Sequence, residues 1–181
     1  MNKEEAAIIS DFQKEDTKLK AFESLVGLYQ ERVYWQIRRM LHSHEDSNDV
    51  AQEVWVKLWR SLGNFRGDSA LYTYIYRVAL NESLSFIKKR EKQHKISGEY
   101  KEVIIENFLR TDPYFDGDET MIKLKSIVSF LPAKQQAVFN LKYFENLKYE
   151  EIAEILQTSV GALKASYHHA RKKIEHLIIK D

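Results

Sequence analysis

The chain has 181 residues, of which 44% are apolar and 30% are charged, and its net charge is +1. It contains no Cys, which excludes a disulfide scaffold and thiolate metal sites and is compatible with a reducing compartment. No apolar run reaches the roughly 18 residues that a membrane span requires, and the polar N-terminus is unlike a signal peptide. With only two Pro and six Gly, the sequence predicts an all-helical protein with short turns. The absence of Cys, of a membrane span and of a signal peptide makes the cytoplasm the expected location.

Charge is distributed unevenly along the chain. Residues 1–92 carry 15 Lys or Arg and 14 Asp or Glu, residues 93–120 carry 3 and 7, and residues 121–181 carry 10 and 6. The three net charges are therefore +1, −4 and +4, which sum to the +1 of the whole chain. An acidic connector between a mixed part and a basic part predicts two small helical domains joined by a flexible linker.

The N-terminal part begins with an amphipathic helix. Apolar side chains recur at spacings of three and four over residues 18–42, which is the period of a helix with one buried face. After a polar break, Ser47 or Asn48 is the expected N-cap of a second helix that ends near Leu62. A third helix is predicted from about residue 70 to residue 92.

The loop before the third helix and the start of that helix combine aromatic and basic side chains. Thr73, Arg77 and Asn81 fall at i, i+4 and i+8, on one face of the helix. Tyrosines alternate along residues 72–76, close in sequence to Arg66 and Arg77. Rings that stack on unpaired bases and guanidinium groups that neutralise the backbone are what a single-strand binder needs. The alternative is that the tyrosines belong to the core.

Beyond residue 92 the helical period weakens. Residues 93–120 contain several turn-forming residues and are predicted to form the linker, with a short helix near residues 103–109. Periodicity then resumes, and further helices are predicted for residues 121–130, 133–144, 149–156 and 159–178.

The last two predicted helices, separated by the polar turn 157–159, have the layout of a helix-turn-helix DNA reader. Ile152, Leu156 and Leu163 fit the small core that locks two such helices together. Lys and Arg neutralise phosphates, and Ser and His can hydrogen-bond base edges in a major groove. A solvated basic face on an ordinary helical bundle is the alternative. The polar side chains that project away from the core are Lys164, Ser166, His168, His169, Arg171, Lys172 and Lys173.

Other clusters of titratable side chains do not predict chemistry. Taken alone, Asp49, Gln52 and Glu53 form a solvated polar face near the start of the second helix. His168 and His169 lack metal-ligand spacing because adjacent residues of a helix diverge by about 100°. Neither a glycine-rich phosphate loop nor a nucleophile elbow occurs in the sequence. We therefore expect no catalytic residue, no metal site and no cofactor, and a protein that is not an enzyme.

Three segments, taken in their order along the chain, resemble a known family. Residues 49–59 resemble the polymerase-binding helix and residues 65–81 the promoter-melting segment of bacterial sigma factors of the extracytoplasmic-function (ECF) group. The helix-turn-helix unit resembles the reader of the upstream promoter element in the same proteins. The similarity covers about residues 20–92 and 120–178.

The resemblance implies a transcription initiation factor that binds core RNA polymerase and directs it to promoters. Residues 1–92 would correspond to sigma region 2, residues 93–120 to a linker, and residues 121–181 to sigma region 4. The first domain would dock on the clamp helices of the largest polymerase subunit and the second on the β-flap. An anti-sigma factor is implied as an inhibitory partner. The residues implied in docking on the clamp helices are Asp49, Gln52 and Glu53.

The resemblance also assigns the two promoter contacts. A loop that captures a flipped base and a helix that holds the separated strand would open the −10 element, and the last helix would read the −35 element. Flipping costs a few kcal/mol of stacking, which aromatic and polar side chains must offset. The residues implied at −10 are Asn64, Phe65, Arg66, Ser69, Thr73, Tyr74, Arg77 and Asn81. Those implied at −35 are Lys164, Ser166, His168, His169, Arg171 and Lys172.

The sequence departs from the family pattern at these sites. Tyr74 stands where Trp is common, and Ser166 and His169 stand where Arg is common. The second departure predicts an unusual −35 preference and binding that weakens as pH rises near neutrality. The modest net charge of each domain predicts weak promoter binding by the free protein and strong binding by the holoenzyme.

Two further readings stay open at the level of sequence. One is a stand-alone helix-turn-helix regulator that binds operators as a dimer, which leaves residues 49–59 and 65–81 without a purpose. The other is a helical adaptor or decoy that binds polymerase without starting transcription.

Overall fold

The computed structural model describes residues 3–97 and 119–179 of the chain. Regular structure in these ranges is helical throughout, which confirms the predicted fold class. None of the helices described is long and apolar enough to cross a bilayer. The short helix predicted near residues 103–109 lies outside the described residues. The helices are α1 (Lys3–Phe12), α2 (Lys18–Leu41), α3 (His44–Ser61) followed by a 3₁₀ turn (Leu62–Asn64), α4 (Leu71–Ser97), α5 (Glu119–Ser129), α6 (Ala133–Tyr143), α7 (Tyr149–Leu156) and α8 (Val160–Ile179).

The first domain packs α2, α3 and α4 around a shared apolar core. Each helix contributes a stripe of side chains at spacings of three and four, because that spacing places them on one face. Leu25 and Val33 on α2, Val54 and Leu58 on α3, and Ile75 on α4 are fully buried. Burial of each such side chain contributes about 1.5–3 kcal/mol. The stripes therefore fix how the three helices lie against one another.

Helix α1, which the sequence analysis did not predict, packs against α2. Ile8 and Phe12 are buried, and the ring of Phe12 meets the ring of Trp59 edge-on at a centroid distance of 5.4 Å. The carboxylate of Glu5 accepts a hydrogen bond from the hydroxyl of Tyr29 on α2. The segment is only 10 residues long, so its period was too short to distinguish it from a polar leader.

The start of α3 differs from the prediction. The helix begins at His44, and Ser43 is its N-cap, since the Ser43 hydroxyl accepts a hydrogen bond from the backbone N–H of Asp46 at 3.3 Å. Ser47 is buried in the first turn and donates its hydroxyl to the Ser43 carbonyl. The prediction of Ser47 or Asn48 as the cap was therefore wrong, because Ser43 caps the helix one turn earlier, inside the expected polar break.

Helix α4 is longer than predicted. It ends at Ser97 rather than near residue 92, so the first five residues of the predicted linker continue the helix. Residues 88–93 are Lys, Arg, Glu and Gln, all of which have high intrinsic helix propensity. They carry no apolar period, and the period was the signal from which the end of the helix was predicted.

The second domain comprises α5 to α8. Phe139 on α6 and Ile174 on α8 belong to a buried cluster of their own. Helix α7 is followed by its C-cap, Gln157, which has a left-handed backbone with φ 50°. Before α8, the Ser159 hydroxyl accepts a hydrogen bond from the backbone N–H of Ala162 at 3.2 Å. Together, α7, this turn and α8 confirm the predicted C-terminal helix-turn-helix.

The two domains pack against each other in the described residues. Helices α2 and α4 of the first domain contact α6 and α7 of the second. One apolar cluster continues from the core of the first domain to Ile152, Ile155 and Leu163 of the helix-turn-helix. The sequence predicted two domains and a linker but gave no sign of this contact.

Candidate nucleic-acid and protein interfaces

A cleft of about 420 Å³ opens between the end of α3 and the start of α4. The loop between these helices turns at Gly67, whose φ of 78° lies in the left-handed region that other residues rarely adopt. Six of the eight residues implied at −10 line this cleft, and Ser61 and Asp68 line it in addition. The lining residues are Ser61, Asn64, Phe65, Arg66, Asp68, Ser69, Tyr74 and Arg77.

Two aromatic rings contribute the apolar surface of the cleft. The rings of Phe65 and Tyr74 lie 5.2 Å apart between centroids and are tilted by 42°. The Tyr74 hydroxyl donates to Ser61 Oγ at 2.6 Å, and Ser61 Oγ donates to the carbonyl of Lys57 at 2.8 Å. These bonds hold the Tyr74 ring against the end of α3. A base entering the cleft can therefore stack on a ring that is already ordered.

Charged groups of both signs lie at the cleft. Arg66 and Asp68 are exposed loop residues. A guanidinium can neutralise a phosphate, and a carboxylate can accept a hydrogen bond from the amino group of a base. Asp68 belongs to the same loop but is not among the residues implied at −10. Among the residues described, no three His, Asp or Glu side chains lie close enough to hold a metal ion.

Four residues, Thr73, Tyr74, Arg77 and Asn81, are implied to hold the separated strand, and three of them do not act together in the packed arrangement. Nη2 of Arg77 donates to the carbonyl of Glu154 on α7 at 2.9 Å. Thr73 is fully buried, and Asn81 is exposed but is not among the residues that line the cleft. The expected face of Thr73, Arg77 and Asn81 is therefore not available as a unit, because Thr73 is buried and Arg77 is bonded to α7.

The residues implied at −35 are distributed over more than one face of α8. Successive residues of a helix are about 100° apart, and on this basis four of the six share one exposed band. His169 is exposed further around the helix, and Ser166 is half-buried on the other side. Arg171 forms an exposed ion pair with Glu175 at 2.7 Å. The band consists of Lys164, His168, Arg171 and Lys172.

Small exposed residues begin α8 beside this band. Gly161, Ala162 and Ala165 are exposed, and the first residues of a recognition helix are those that reach base edges. A Cβ at Gly161 would meet nothing within 4 Å, so packing within the described structure does not require the absence of a side chain. Small residues would let the helix approach a groove closely, and an Ala methyl can contact the methyl of thymine. These residues were missed because they carry no charge.

The polar face of α3 has an apolar centre. Asp49, Gln52 and Glu53 are exposed, and Val56 lies among them with 49% of its side chain accessible. Val56 is seven, four and three residues beyond them, so all four occupy one side of the helix. A large apolar side chain surrounded by polar groups is typical of a protein-binding surface. Val56 is therefore a candidate to join the docking face that the sequence predicted.

A cleft lined by two aromatic rings lies on one helical domain and a helix-turn-helix on another, which is the composition of a two-domain DNA-binding protein. The face on α3 adds an apolar side chain among polar ones. Family models agree with this division. The model for sigma-70 region 2 matches residues 25–93, and the model for sigma-70 region 4 matches residues 122–174.

Known proteins resemble the chain over nearly its whole length. It is 32% identical over 172 residues to the RNA polymerase sigma-H factor of Pseudomonas aeruginosa, with 86% of this chain and 85% of that protein covered. It is 31% identical over 180 residues to the ECF RNA polymerase sigma-E factor of Haemophilus influenzae, with 95% and 94% covered. The sigma-E factor of Escherichia coli is also 31% identical, with 94% and 92% covered. The chain belongs to the ECF subfamily of sigma factors.

Solved structures share the fold. CnrH, in complex with the cytosolic domain of CnrY, is similar over 98% of this chain and 96% of that one, with a TM-score of 0.69 and 21% identity. The sigma factor RpoE from Bartonella quintana, in complex with the anti-sigma factor NepR, is similar over 90% of this chain and 99% of that one, with a TM-score of 0.68 and 20% identity.

Proposed function

We propose that this sigma factor directs core RNA polymerase to promoters, with residues 1–92 opening the −10 element and residues 121–181 reading the −35 element. The general function, promoter-recognising transcription initiation, follows from membership of the family. The cleft after α3 supports the assignment of the −10 element to the first domain. It combines aromatic rings with cationic and hydrogen-bonding groups on a domain separate from the helix-turn-helix.

At the −10 element, the cleft would hold a base flipped out of the duplex. Flipping costs a few kcal/mol, and stacking on an aromatic side chain contributes about 1–3 kcal/mol per base. Phe65 and Tyr74 would supply the stacking, while Asn64 and Ser69 would form hydrogen bonds to the base. Arg66 would neutralise the backbone, and Arg77, Thr73 and Asn81 would hold the strand beyond the flipped base once α7 has moved away from α4.

At the −35 element, α8 would lie in the major groove. Lys164, His168 and Lys172 occupy one exposed band that begins beside the small residues of the first turn. Arg171 in the same band would exchange its partner Glu175 for a phosphate. His169 and Ser166 would contribute at the edges of this surface, because they lie outside the band.

Polymerase would dock on the face of α3 formed by Asp49, Gln52, Glu53 and Val56. The clamp helices would meet this face, and the β-flap would meet the second domain. The protein itself would be non-catalytic, since the polymerase forms the RNA, and it would act in the cytoplasm, where polymerase and promoters are found. One similar structure contains the sigma factor RpoE bound to the anti-sigma factor NepR, and the other contains CnrH bound to the cytosolic domain of CnrY. We propose an anti-sigma factor as a partner here.

The stand-alone regulator is not favoured. It uses the helix-turn-helix but leaves the cleft and the face on α3 without a function, although the family model for region 2 covers both. A decoy that binds polymerase without starting transcription would use the face on α3 but would have no need of the cleft.

Run-off transcription with purified core polymerase and genomic promoter fragments tests the proposal. The wild type is expected to start transcripts at discrete sites, and Asp49→Ala/Glu53→Ala is expected to lose them. The matched control is Glu23→Ala/Glu31→Ala, which removes two exposed acids from α2 and should retain activity. Binding of core without any transcript would favour the decoy, and protection of a palindromic operator without polymerase would favour the regulator.

A further inference from the structure

One wall of the cleft packs against helix α1. This wall is the end of α3 with the 3₁₀ turn Leu62–Asn64, and both Asn64 and Phe65 line the cleft. Helix α1 contacts the turn as well as α2. Leu62 is fully buried and belongs to the same apolar cluster as Phe12 of α1. The turn therefore lies between α1, which buries Leu62, and the open space of the cleft.

Ring contacts join α1 to the end of α3. The ring of Phe12 meets that of Trp59 edge-on, and Trp59 lies two residues before Ser61, which lines the cleft. Phe22 on α2 completes the group, with centroids 6.0 Å from Phe12 and 5.1 Å from Trp59. Rings at such separations and inclinations attract one another in addition to their burial. Phe12 is thus connected to the wall of the cleft through Trp59.

A buried hydrogen bond fixes the first turn of α1. Glu5 is buried, and its carboxylate accepts a hydrogen bond from the Tyr29 hydroxyl on α2. Burial, together with this bond, raises the pKa of Tyr29, so the hydroxyl remains a donor at neutral pH. A buried carboxylate is tolerated only where it has such a partner. The bond therefore specifies how α1 lies along α2.

The other end of α1 is fixed where the chain turns into α2. The Thr17 hydroxyl donates to the carbonyl of Asp11 at 2.7 Å. Lys18 Nζ lies 5.6 Å from the ring centroid of Phe12 and 5.2 Å from that of Trp59. A cation at this distance is attracted by the face of a ring. The contacts at this end therefore hold Phe12 against Trp59.

Helix α1 depends on these contacts to form at all. It has 10 residues, and isolated helices shorter than about 12 residues are marginal in water. Ile8, Ile9 and Phe12 are its main buried apolar side chains. Loss of one large side chain from so short a helix should loosen the whole helix, and with it the packing around Leu62.

A site that captures a base requires a fixed wall. Groups that bind a ligand must be held within about 0.5 Å of their productive positions. The backbone N–H of Phe65 donates to the Leu62 carbonyl at 3.0 Å, so the position of Phe65 depends on that of Leu62. Movement of the turn would therefore displace Asn64 and Phe65 together.

We infer that α1 is a positioning element for the base cleft, with Phe12 supporting the 3₁₀ turn so that Asn64 and Phe65 are already in place when a flipped base arrives. This inference rests on the proposed function of the cleft. Phe12 is a positioning residue, since it does not line the cleft and acts through Trp59 and Leu62. Loss of its ring should weaken base capture while leaving docking on polymerase and reading of the −35 element intact.

Base capture is measured on holoenzyme assembled from core polymerase and the full-length protein. The probe is a fluorescein-labelled non-template strand that spans the −10 element of a promoter found by run-off transcription. Strands in which one base at a time is replaced by an abasic site locate the captured base. Stacking of that base should make wild-type holoenzyme bind the intact strand about 5- to 150-fold more tightly than the abasic strand.

The ratio of these two affinities separates positioning from stability, because misfolded molecules bind neither strand. Phe12→Ala should lower the ratio to about one, the value expected when stacking is lost. Phe12→Leu refills most of the buried volume and should restore part of the ratio. Val50→Ala is the matched control, since it removes a buried side chain from α3 about three turns before Ser61, and it should keep the wild-type ratio.

A second variant covers the case in which Phe12→Ala does not fold. Tyr29→Phe removes only the hydrogen bond to Glu5 and should lower the ratio about twofold or more. Circular dichroism and urea titrations of each variant report its helix content and its free energy of unfolding. Binding of core polymerase is measured for each variant as well.

The possible failures are distinguishable. If the Phe12 and Tyr29 variants keep the wild-type ratio, or if Val50→Ala loses it equally, the inference is overturned and the proposed function is unaffected. Loss of core binding by Phe12→Ala would also overturn it, because α1 would then support docking rather than the cleft. A wild type that is indifferent to every abasic site would show that the cleft captures no base, and the proposed −10 role would fail together with the inference.

Discussion

The hydroxyl of Tyr74 donates a hydrogen bond to Ser61 Oγ at 2.6 Å, and this bond joins the end of α3 to the start of α4 across the loop that forms the cleft. Tyr74 stands where the family often has Trp, and an indole cannot reproduce this bond with the same geometry. The departure from the family pattern is thus accompanied by a partner, Ser61, that positions the smaller ring.

Loss of that bond should weaken promoter opening without abolishing it. Ser61→Ala and Tyr74→Phe both remove this neutral hydrogen bond, which is worth about 0.5–1.5 kcal/mol, and Ser61→Ala also removes the bond from Ser61 to the Lys57 carbonyl within α3. Each is expected to lower the fraction of open complex about two- to tenfold, measured by permanganate reactivity of unpaired thymines. Because both variants remove the same bond, the double variant should be no worse than either alone. If the losses of open complex in the two single variants added up in the double variant, the bond would not have this role. Ser85→Ala, on the exposed side of α4, is the control and should leave the open complex unchanged.

Loss of the ring itself should be more severe. Tyr74→Ala removes a stacking surface worth about 1–3 kcal/mol, so the open complex should fall about 5- to 150-fold. Tyr74→Trp keeps a stacking face and should stay within a fewfold of the wild type. The measurement is the same permanganate assay, with binding of core polymerase as the check that docking is intact. Equal losses in the two variants would show that the hydroxyl, rather than the ring, is the functional group.

Much of the local structure could be predicted from the sequence because it depends on neighbouring residues. The apolar stripes of α2 and α3 predicted which face of each helix is buried, and the polar turn at 157–159 predicted the helix-turn-helix. Ser43 could not be selected over Ser47 as a cap, because the choice depends on Ser47 being buried by other helices. Ser61 likewise gains a role only once folding brings Tyr74, 13 residues later, within hydrogen-bonding distance.

The packing of the two domains could not be predicted for a related reason. The bond between Arg39 and Glu145 joins residues 106 positions apart, and nothing in the pattern around either residue specifies the other. For the same reason, the resemblance placed Thr73 among the residues that hold the separated strand, although Thr73 is fully buried in this structure. Sequence periodicity identifies a helical face but does not specify which element covers it.

Electrostatic contact with the −35 element should be visible in its salt dependence. Lys172→Gln removes one cation from the exposed band of α8, and loss of one phosphate contact reduces the slope of log K against log salt by about 0.9. Holoenzyme binding to a promoter identified by run-off transcription is measured over a salt series. Lys20→Gln, on the exposed face of α2, should leave the slope unchanged. An unchanged slope in Lys172→Gln would exclude a phosphate contact for this residue.

Gly27 offers a stabilising substitution. It lies inside α2, where Gly is less favourable than Ala by about 0.5–1 kcal/mol, and a Cβ there would meet nothing within 4 Å. Gly27→Ala should therefore raise the free energy of unfolding by about that amount in urea titrations. Gly67→Ala is the opposite case. The backbone at Gly67 has a φ of 78°, which disfavours any side chain, so this substitution should lower the free energy of unfolding. A destabilising Gly27→Ala would mean that α2 requires glycine for a reason beyond the contacts described.

His42 should make the packed form sensitive to acid. Its Nε2 lies 2.5 Å from Nε2 of Gln136 on α6, so the neutral ring can accept a hydrogen bond across the domain interface. Burial, together with the positive charges of Arg38 and Lys125, lowers the pKa of His42 from 6.5 to about 3. In the folded protein, His42 therefore stays neutral between pH 6.5 and about pH 3, where an exposed imidazole ring would gain a proton. The stability linked to His42 is present above pH 6.5 and is lost as pH falls toward 3.

The size of this effect can be separated from other titrations. Between pH 7 and pH 5, most carboxylates remain ionised, and His42 alone should lower the free energy of unfolding by up to about 2 kcal/mol. His42→Asn is the matched variant, because Asn tolerates the left-handed backbone at φ 62° and does not titrate. Urea titrations at the two pH values should show a smaller loss in His42→Asn than in the wild type. Identical losses would place the acid sensitivity elsewhere in the protein.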